Sequence, residues 1–269
     1  MVLVPIEFPD APGVKSPAEI YATDIKKMTD WFNDYSNGKL TFKIQMGKSW
    51  IRTPKNSSYY DVGEGVNQNS DGQTISQITQ QLIDLTSSQF EYANADVVQF
   101  LFPEQVAAIK FSFAEKVWVR TGGPDRPIFA MSAAPVNRQW GPLWIWNVHE
   151  MLHPMGLAMH FPVNPPSWGI EWGGFTRTPV LSPWNQAMLD WNNPGQIYCQ
   201  AGTSPFRTIL TLLPLEDPGS GLHSAFIRVS ENEALMVVSH RNGKWSQGLS
   251  NSFNGTMVAL IDTTKQTTW

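Results

Sequence analysis

The sequence predicts a mixed α/β (α+β) chain forming one domain, 1–269, with lobes at about 1–156 and 157–269. Three observations carry that prediction. An apolar opening strand is followed by two amphipathic helices and further strands, the pattern of a mixed sheet covered by helices. A central helix opens after Gly141-Pro142 and leads into a cluster of histidines. Beyond it lie four short segments that look like strands, so the C-terminal part reads as β-rich.

The elements follow in order. Val2–Phe8 is the opening strand, and Phe8-Pro9-Asp10-Ala11-Pro12-Gly13 a turn. Ser16, Pro17 and Glu19 form a helix start: Ser16 caps, Pro17 suits the first position, and Glu19 closes a capping box. Tyr21, Ile25, Met28, Phe32 and Tyr35 continue at helical spacing until Asn37-Gly38. Leu40, Phe42, Ile44 and Met46 alternate with polar residues as in a half-buried strand. A second helix spans about Gln73–Phe90, with Ile75, Ile78, Leu82 and Leu85 on one face. Asp96–Phe102 and Lys116–Arg120 read as strands, Ser182–Trp191 as a short helix, and 161–185 as largely a long loop. The expected C-terminal strands are Thr208–Leu215, Ala225–Val229, Ala234–His240 and Thr256–Ile261.

Composition excludes several functions. The formal net charge is -4, with no long basic run, so a nucleic-acid partner is disfavoured. No apolar stretch of about 18 residues exists to span a membrane. The single cysteine, Cys199, forms no intrachain disulfide and has no base beside it. No basic-then-apolar leader precedes Val2. Either the protein is made without one, or this is a mature catalytic unit, the reading that goes with a secreted enzyme.

The chemistry lies in Trp146-Asn147-Val148-His149-Glu150-Met151-Leu152-His153-Pro154-Met155-Gly156-Leu157-Ala158-Met159-His160. Three of the chain's five histidines fall between His149 and His160. Residues i and i+4 of a helix share a face, so His149 and His153 can aim two ring nitrogens at one metal ion, about 2.0–2.1 Å away for zinc. Glu150, one residue on, is rotated out of the coordination sphere but within reach of a metal-bound water. Zinc brings the pKa of such a water to about 7. Glu150 then acts as general base and returns the proton to the leaving amine. Gly156 permits a sharp turn through positive φ, bringing His160 back as third ligand and leaving a fourth position for water and substrate. The competing reading is a helix whose histidines are merely hydrogen-bonded in a polar patch.

His-Glu-x-x-His-x-x-Gly followed by a later His resembles the metzincin zinc endopeptidases. More specifically, the chain resembles the immune inhibitor A-like bacterial metallopeptidases. The likeness begins at Val2-Leu3-Val4-Pro5-Ile6-Glu7-Phe8-Pro9-Asp10 and continues at Trp31-Phe32-Asn33-Asp34-Tyr35-Ser36-Asn37-Gly38-Lys39-Leu40. It returns at the metal helix and Ser182–Trp191, then loosely in 225–241. The resemblance implies a two-lobed secreted zinc endopeptidase with a mixed N-terminal sheet, the metal helix on the cleft floor and a C-terminal lobe closing it.

Three departures stand out. The metzincin pattern puts its third ligand at Met159, and a thioether is a poor zinc ligand beside imidazoles, which favours His160 with a one-residue bulge. Pro154 lacks the N–H that would bond the Glu150 carbonyl, so the helix should end at or soon after His153. The Met-turn beneath the metal is unassigned: 172–175 has no Met, and Met188 reads as helical. Glu171, 18 residues after His153, is an alternative third ligand of thermolysin type.

Asn67, Asn69, Asp71 and Gly72 have calcium-loop spacing, but Ile78 stands where the closing Glu belongs. A plain surface loop is therefore favoured over a structural Ca2+ site. Seven of the twelve tryptophans lie between Trp140 and Trp191. Trp144 and Trp146 suit core packing, whereas Trp168 and Trp172 suit substrate contact. His223 and His240 read as ordinary surface or strand histidines. The expected activity is zinc-dependent hydrolysis of peptide bonds in a protein or peptide substrate. The alternatives are a metal-stabilised binding module for protein or glycan, and a metal-dependent hydrolase acting on glycoprotein.

Overall fold

The computed structural model describes residues 1–63, 65–110, 112–133, 141–157, 169–170, 178–202, 207–246 and 254–265. Those residues form a mixed α/β structure with two sheets and few helices. They divide into two compact units, Met1–Lys27 with Phe42–Trp146, and Met28–Thr41 with Asn147–Trp269. Among the described residues no helix is long and apolar enough to cross a membrane.

The first unit is built on a six-stranded sheet. Its strands are β1 (Val2–Glu7), β2 (Gln45–Met46), β3 (Ile51–Arg52), β4 (Val97–Leu101), β5 (Ala114–Val119) and β6 (Arg126–Ala133). Their order is β2-β1-β4-β6-β5, with β3 pairing a later part of β1. All pairings are parallel except that of β5 with β6. Strands inside a parallel sheet are covered on both faces and carry apolar runs rather than alternation. β4, Val-Val-Gln-Phe-Leu, is buried throughout, and β1 at all but its last residue.

Side chains sort by parity across this sheet. Val2, Val4, Ile6, Val98 and Phe100 join one cluster with Ile78 and Leu82 of α2 (Ile75–Thr86). Leu3 and Leu101 join the opposite cluster with Ile20 and Tyr21 of α1 (Pro17–Tyr35) and Leu143 of α3 (Leu143–Leu152). Trp146 packs against the second cluster, and Trp144 is buried.

Both helix starts obey local rules. Glu19 accepts from the Ser16 backbone N–H at 2.8 Å while Ser16 Oγ accepts from the Glu19 N–H at 3.3 Å. Thr74 and Gln77 form the equivalent box on α2. α1 ends in a Schellman arrangement, with Asn37 at φ 54° and Gly38 N–H bonding the Asn33 carbonyl at 2.8 Å.

Several expectations change. Leu85 is 38% exposed, and Thr79, Ile83 and Thr86 turn inward instead. Residues 40–46 keep alternating burial, but ladder pairing shrinks to Gln45–Met46, at the edge of β1. The expected strand Thr208–Leu215 is irregular and touches β9 only through a bridge from Pro214 to Ser239. Three strands among the described residues were not expected: the two-residue β3, β6, whose apolar run Ile128–Met131 marks it in retrospect, and β7.

The second unit holds a four-stranded sheet ordered β10-β9-β8-β7: β7 (Ile197–Gln200), β8 (Ser224–Arg228), β9 (Glu233–His240) and β10 (Gly255–Asp262). It also holds α4 (Pro183–Met188), capped by Ser182 Oγ, and the end of α1. Met28, Trp31, Phe32 and Tyr35 are all buried there. Tyr35 Oη donates to the Leu215 carbonyl at 2.8 Å, and Asn37 Nδ2 to the Trp191 carbonyl at 2.7 Å. The segment from Trp31 to Leu40 thus supplies tie points of this unit.

Of the two other histidines, His240 is a strand histidine, the last residue of β9, but neither lies at the surface, His223 being 7% and His240 1% exposed. His240 Nδ1 donates to Glu216 Oε1 at 2.8 Å, and the second oxygen of Glu216 accepts from the Arg241 N–H at 3.1 Å. This buried pair gave no signal in the sequence, because its partners are 24 residues apart with no pattern linking them.

Candidate metal centre

α3, Leu-Trp-Ile-Trp-Asn-Val-His-Glu-Met-Leu, has only one polar stretch, and nearly all of its residues are buried. A helix apolar around most of its girth is a buried one. His149 lies within it at 3% exposure. A buried imidazole needs a hydrogen-bond partner to offset the loss of water. The partner is a backbone group: His149 Nδ1 bonds the Ile170 carbonyl at 2.8 Å.

α3 ends at Leu152, one residue before His153, and 153–156 form a turn. Leu157 N–H bonds the Leu152 carbonyl at 3.2 Å, and Gly156 N–H bonds the His153 carbonyl at 3.0 Å. Those two bonds are a Schellman cap with Gly156 as its positive-φ residue, at φ 97°. Pro154 sits inside this turn, where its missing N–H interrupts no helix. The cap also brings the Leu157 carbonyl to His153 Nδ1 at 3.3 Å.

Both imidazoles are therefore held the same way. A carbonyl only accepts, so each Nδ1 carries the proton and each Nε2 carries the lone pair. That is the tautomer a metal-binding histidine needs when Nε2 is the ligating atom. The ring centroids are 4.9 Å apart and the rings nearly perpendicular, at 88°. Two imidazoles bound tetrahedrally to one zinc ion, with Zn–N of about 2.0–2.1 Å, place their centroids about 5 Å apart. The observed ring separation of 4.9 Å is of that size.

Glu150 lies alongside. Its Oε2 is 3.7 Å from His153 Nε2, too long for a hydrogen bond. Burial pushes its carboxyl up to about 8, because loss of water penalises the charged form. Even so, 17% of the side-chain surface stays accessible.

Of the residues expected at the site, the structure brings together His149, His153 and Glu150. His160, Glu171, Met159, Trp168 and Trp172 lie outside the described residues. Among the described residues, no group of three or more His, Cys, Asp or Glu side chains is placed to hold a metal. At the supposed calcium loop, Asn69 Oδ1 instead accepts from the Asp71 and Gln73 backbone N–H groups at 3.0 and 2.8 Å, an ordinary Asx turn. Met188 is 60% exposed on α4, and Cys199 is exposed on β7.

The carbonyl partners Ile170 and Leu157 were invisible to motif reading, since any residue type supplies a carbonyl. In comparison with known proteins, the chain matches no family model, and neither a curated protein nor a solved structure matches it significantly.

Proposed function

We propose that this chain is a zinc-dependent endopeptidase of metzincin type, akin to the immune inhibitor A-like peptidases. His149 and His153 hold the ion, His160 is the third ligand, with Glu171 as its competitor, and Glu150 is the general base. The likeness rests on the residues quoted from the sequence. The observation that carries the reading is the matched tethering of the two imidazoles: both Nδ1 atoms are spent on backbone carbonyls and the rings lie 4.9 Å apart.

Zinc held by this set supplies Lewis acidity and an acidified water. The chain supplies the rest. The two carbonyl tethers fix the tautomer and tilt of the rings, so ligand geometry is prepaid in folding. Glu150 occupies the adjoining position on the helix; a bound cation would favour its ionised form against the effect of burial, and the carboxylate would then take a proton from the attacking water and deliver it to the departing nitrogen. A protein or peptide is the substrate, and secretion the expected location.

Replacing Glu150 with Gln tests this directly. The variant should keep one zinc per chain by elemental analysis, while casein hydrolysis falls by about 10²–10⁴-fold, the usual contribution of a general base. Hydrolysis at the wild-type rate removes Glu150 from its role. Zinc binding without hydrolysis in the wild type would make the chain a metal-stabilised binding module instead.

A further inference from the structure

We propose that Trp31 is a positioning residue for the metal ligand His149, acting through Pro179 and the Ile170 peptide. The inference rests on the metallopeptidase reading above and concerns residues of the second unit alone.

Ile170 supplies the carbonyl that His149 Nδ1 bonds. A carbonyl can orient an imidazole only if the residue that bears it is held. The Ile170 N–H donates to the Val180 carbonyl at 2.8 Å, and the neighbouring Gly169 N–H donates to the Thr178 carbonyl at 3.1 Å. Two consecutive N–H groups thus tie residues 169–170 to 178–180. The opposing segment is bent: Val180 N–H bonds the Thr178 carbonyl at 2.7 Å, a γ-turn centred on Pro179. Proline suits that centre because its ring fixes φ near −65°.

A γ-turn leaves its central carbonyl pointing away from the turn. Here that carbonyl is buried, and Trp31 Nε1 donates to it at 2.5 Å. Trp31 is fully buried and packed against Tyr35 and Phe32, with ring centroids 4.4 and 5.1 Å away. Its indole therefore has little freedom. The series runs from the Trp31 N–H to the Pro179 carbonyl, through the γ-turn to the Val180 carbonyl, then through Ile170, from its N–H to its carbonyl, to His149. Thr178, Val180, Ile170 and Leu181 are each no more than 2% exposed, so little water is at hand to replace a lost partner.

The test is metal affinity in the full chain. Trp31→Phe keeps an aromatic ring but removes the donor. Trp191→Phe is the control, since Trp191 is also buried in this unit and packs on Phe32 at 6.1 Å. Zinc affinity is measured by chelator competition, and ligand geometry by the visible spectrum of the Co2+-loaded protein. Trp31→Phe should weaken zinc binding about tenfold, the lower end of outer-shell effects, and shift the Co2+ bands. Trp191→Phe should leave both within twofold, whatever it does to the melting temperature.

Pro179→Ala, which frees the γ-turn but keeps the indole donor, should move the spectrum in the same direction and serves if Trp31→Phe does not fold. Wild-type affinity and spectrum in both Trp31→Phe and Pro179→Ala would overturn the relay while leaving the peptidase reading intact. Equal losses in Trp31→Phe and Trp191→Phe would overturn it as well. A wild-type chain that binds neither Zn2+ nor Co2+ would overturn both.

Discussion

Gly156 offers a sharp test of how the histidine-bearing helix α3 is terminated. It sits at φ 97°, and a Cβ built there meets nothing within 4 Å. Alanine therefore brings no collision, and its cost is backbone strain alone, about 1–2 kcal/mol. The turn should survive, because its two cap bonds and the His153 tether stay in place. Gly156→Ala should thus lower unfolding free energy by that amount while zinc affinity changes less than about threefold, well under the tenfold that 1.4 kcal/mol represents. Gly156→Asn should cost less than half as much, since Asn tolerates positive φ. Gly156→Pro is a different perturbation. Its φ is confined near −65°, and it deletes the N–H that bonds the His153 carbonyl. The turn must rebuild, the Leu157 carbonyl leaves His153, and zinc affinity should drop ten- to a hundredfold. Urea titration reads the first quantity and chelator competition the second. An alanine variant as stable as wild type, or a proline variant that binds zinc normally, would sink the cap as the device that holds His153.

Two further outcomes concern stability. Glu216→Gln puts an amide where a buried carboxylate accepts from both His240 and Arg241 N–H, so one donor faces another; the expected loss is about 3–5 kcal/mol by denaturant titration, and a change under about 0.5 kcal/mol would mean the pair does not persist in solution. Burial pushes the Tyr92 hydroxyl up to about 12, against 10 in the unfolded chain. The folded state holds that proton more tightly, so its contribution is complete below pH 10 and disappears as pH rises to 12. Unfolding free energy should fall by about 2–3 kcal/mol across that window, and Tyr92→Phe should flatten the slope.

Much of the local structure was legible because short-range rules govern it. The capping box at Ser16 depends on residues three apart, and the Asn37-Gly38 and Gly156 stops on a backbone conformation that few residues accept; the same rule governs Thr74 and Gln77, though that box was not expected from the sequence. The pairing of His149 with His153 follows from one helical turn. Legibility failed where a segment's state depended on distant partners. Thr208–Leu215 is rich in β-branched and apolar residues but pairs with no strand over its length among the described residues, whereas Ile197–Gln200 has a weak pattern and acquires β8 as a parallel partner.

Which residues could ligate a metal, which could move a proton and where the carrying helix stops were matters of spacing and backbone preference, and these are written in the chain. The tilt and tautomer of the two imidazoles were not. They are set by carbonyls at Ile170 and Leu157, and Ile170 is in turn held by a γ-turn that Trp31 reaches from 148 residues away. Backbone carbonyls are chemically alike at every position. Their usefulness as anchors therefore arises only when folding brings them against a buried ring that must replace its lost water.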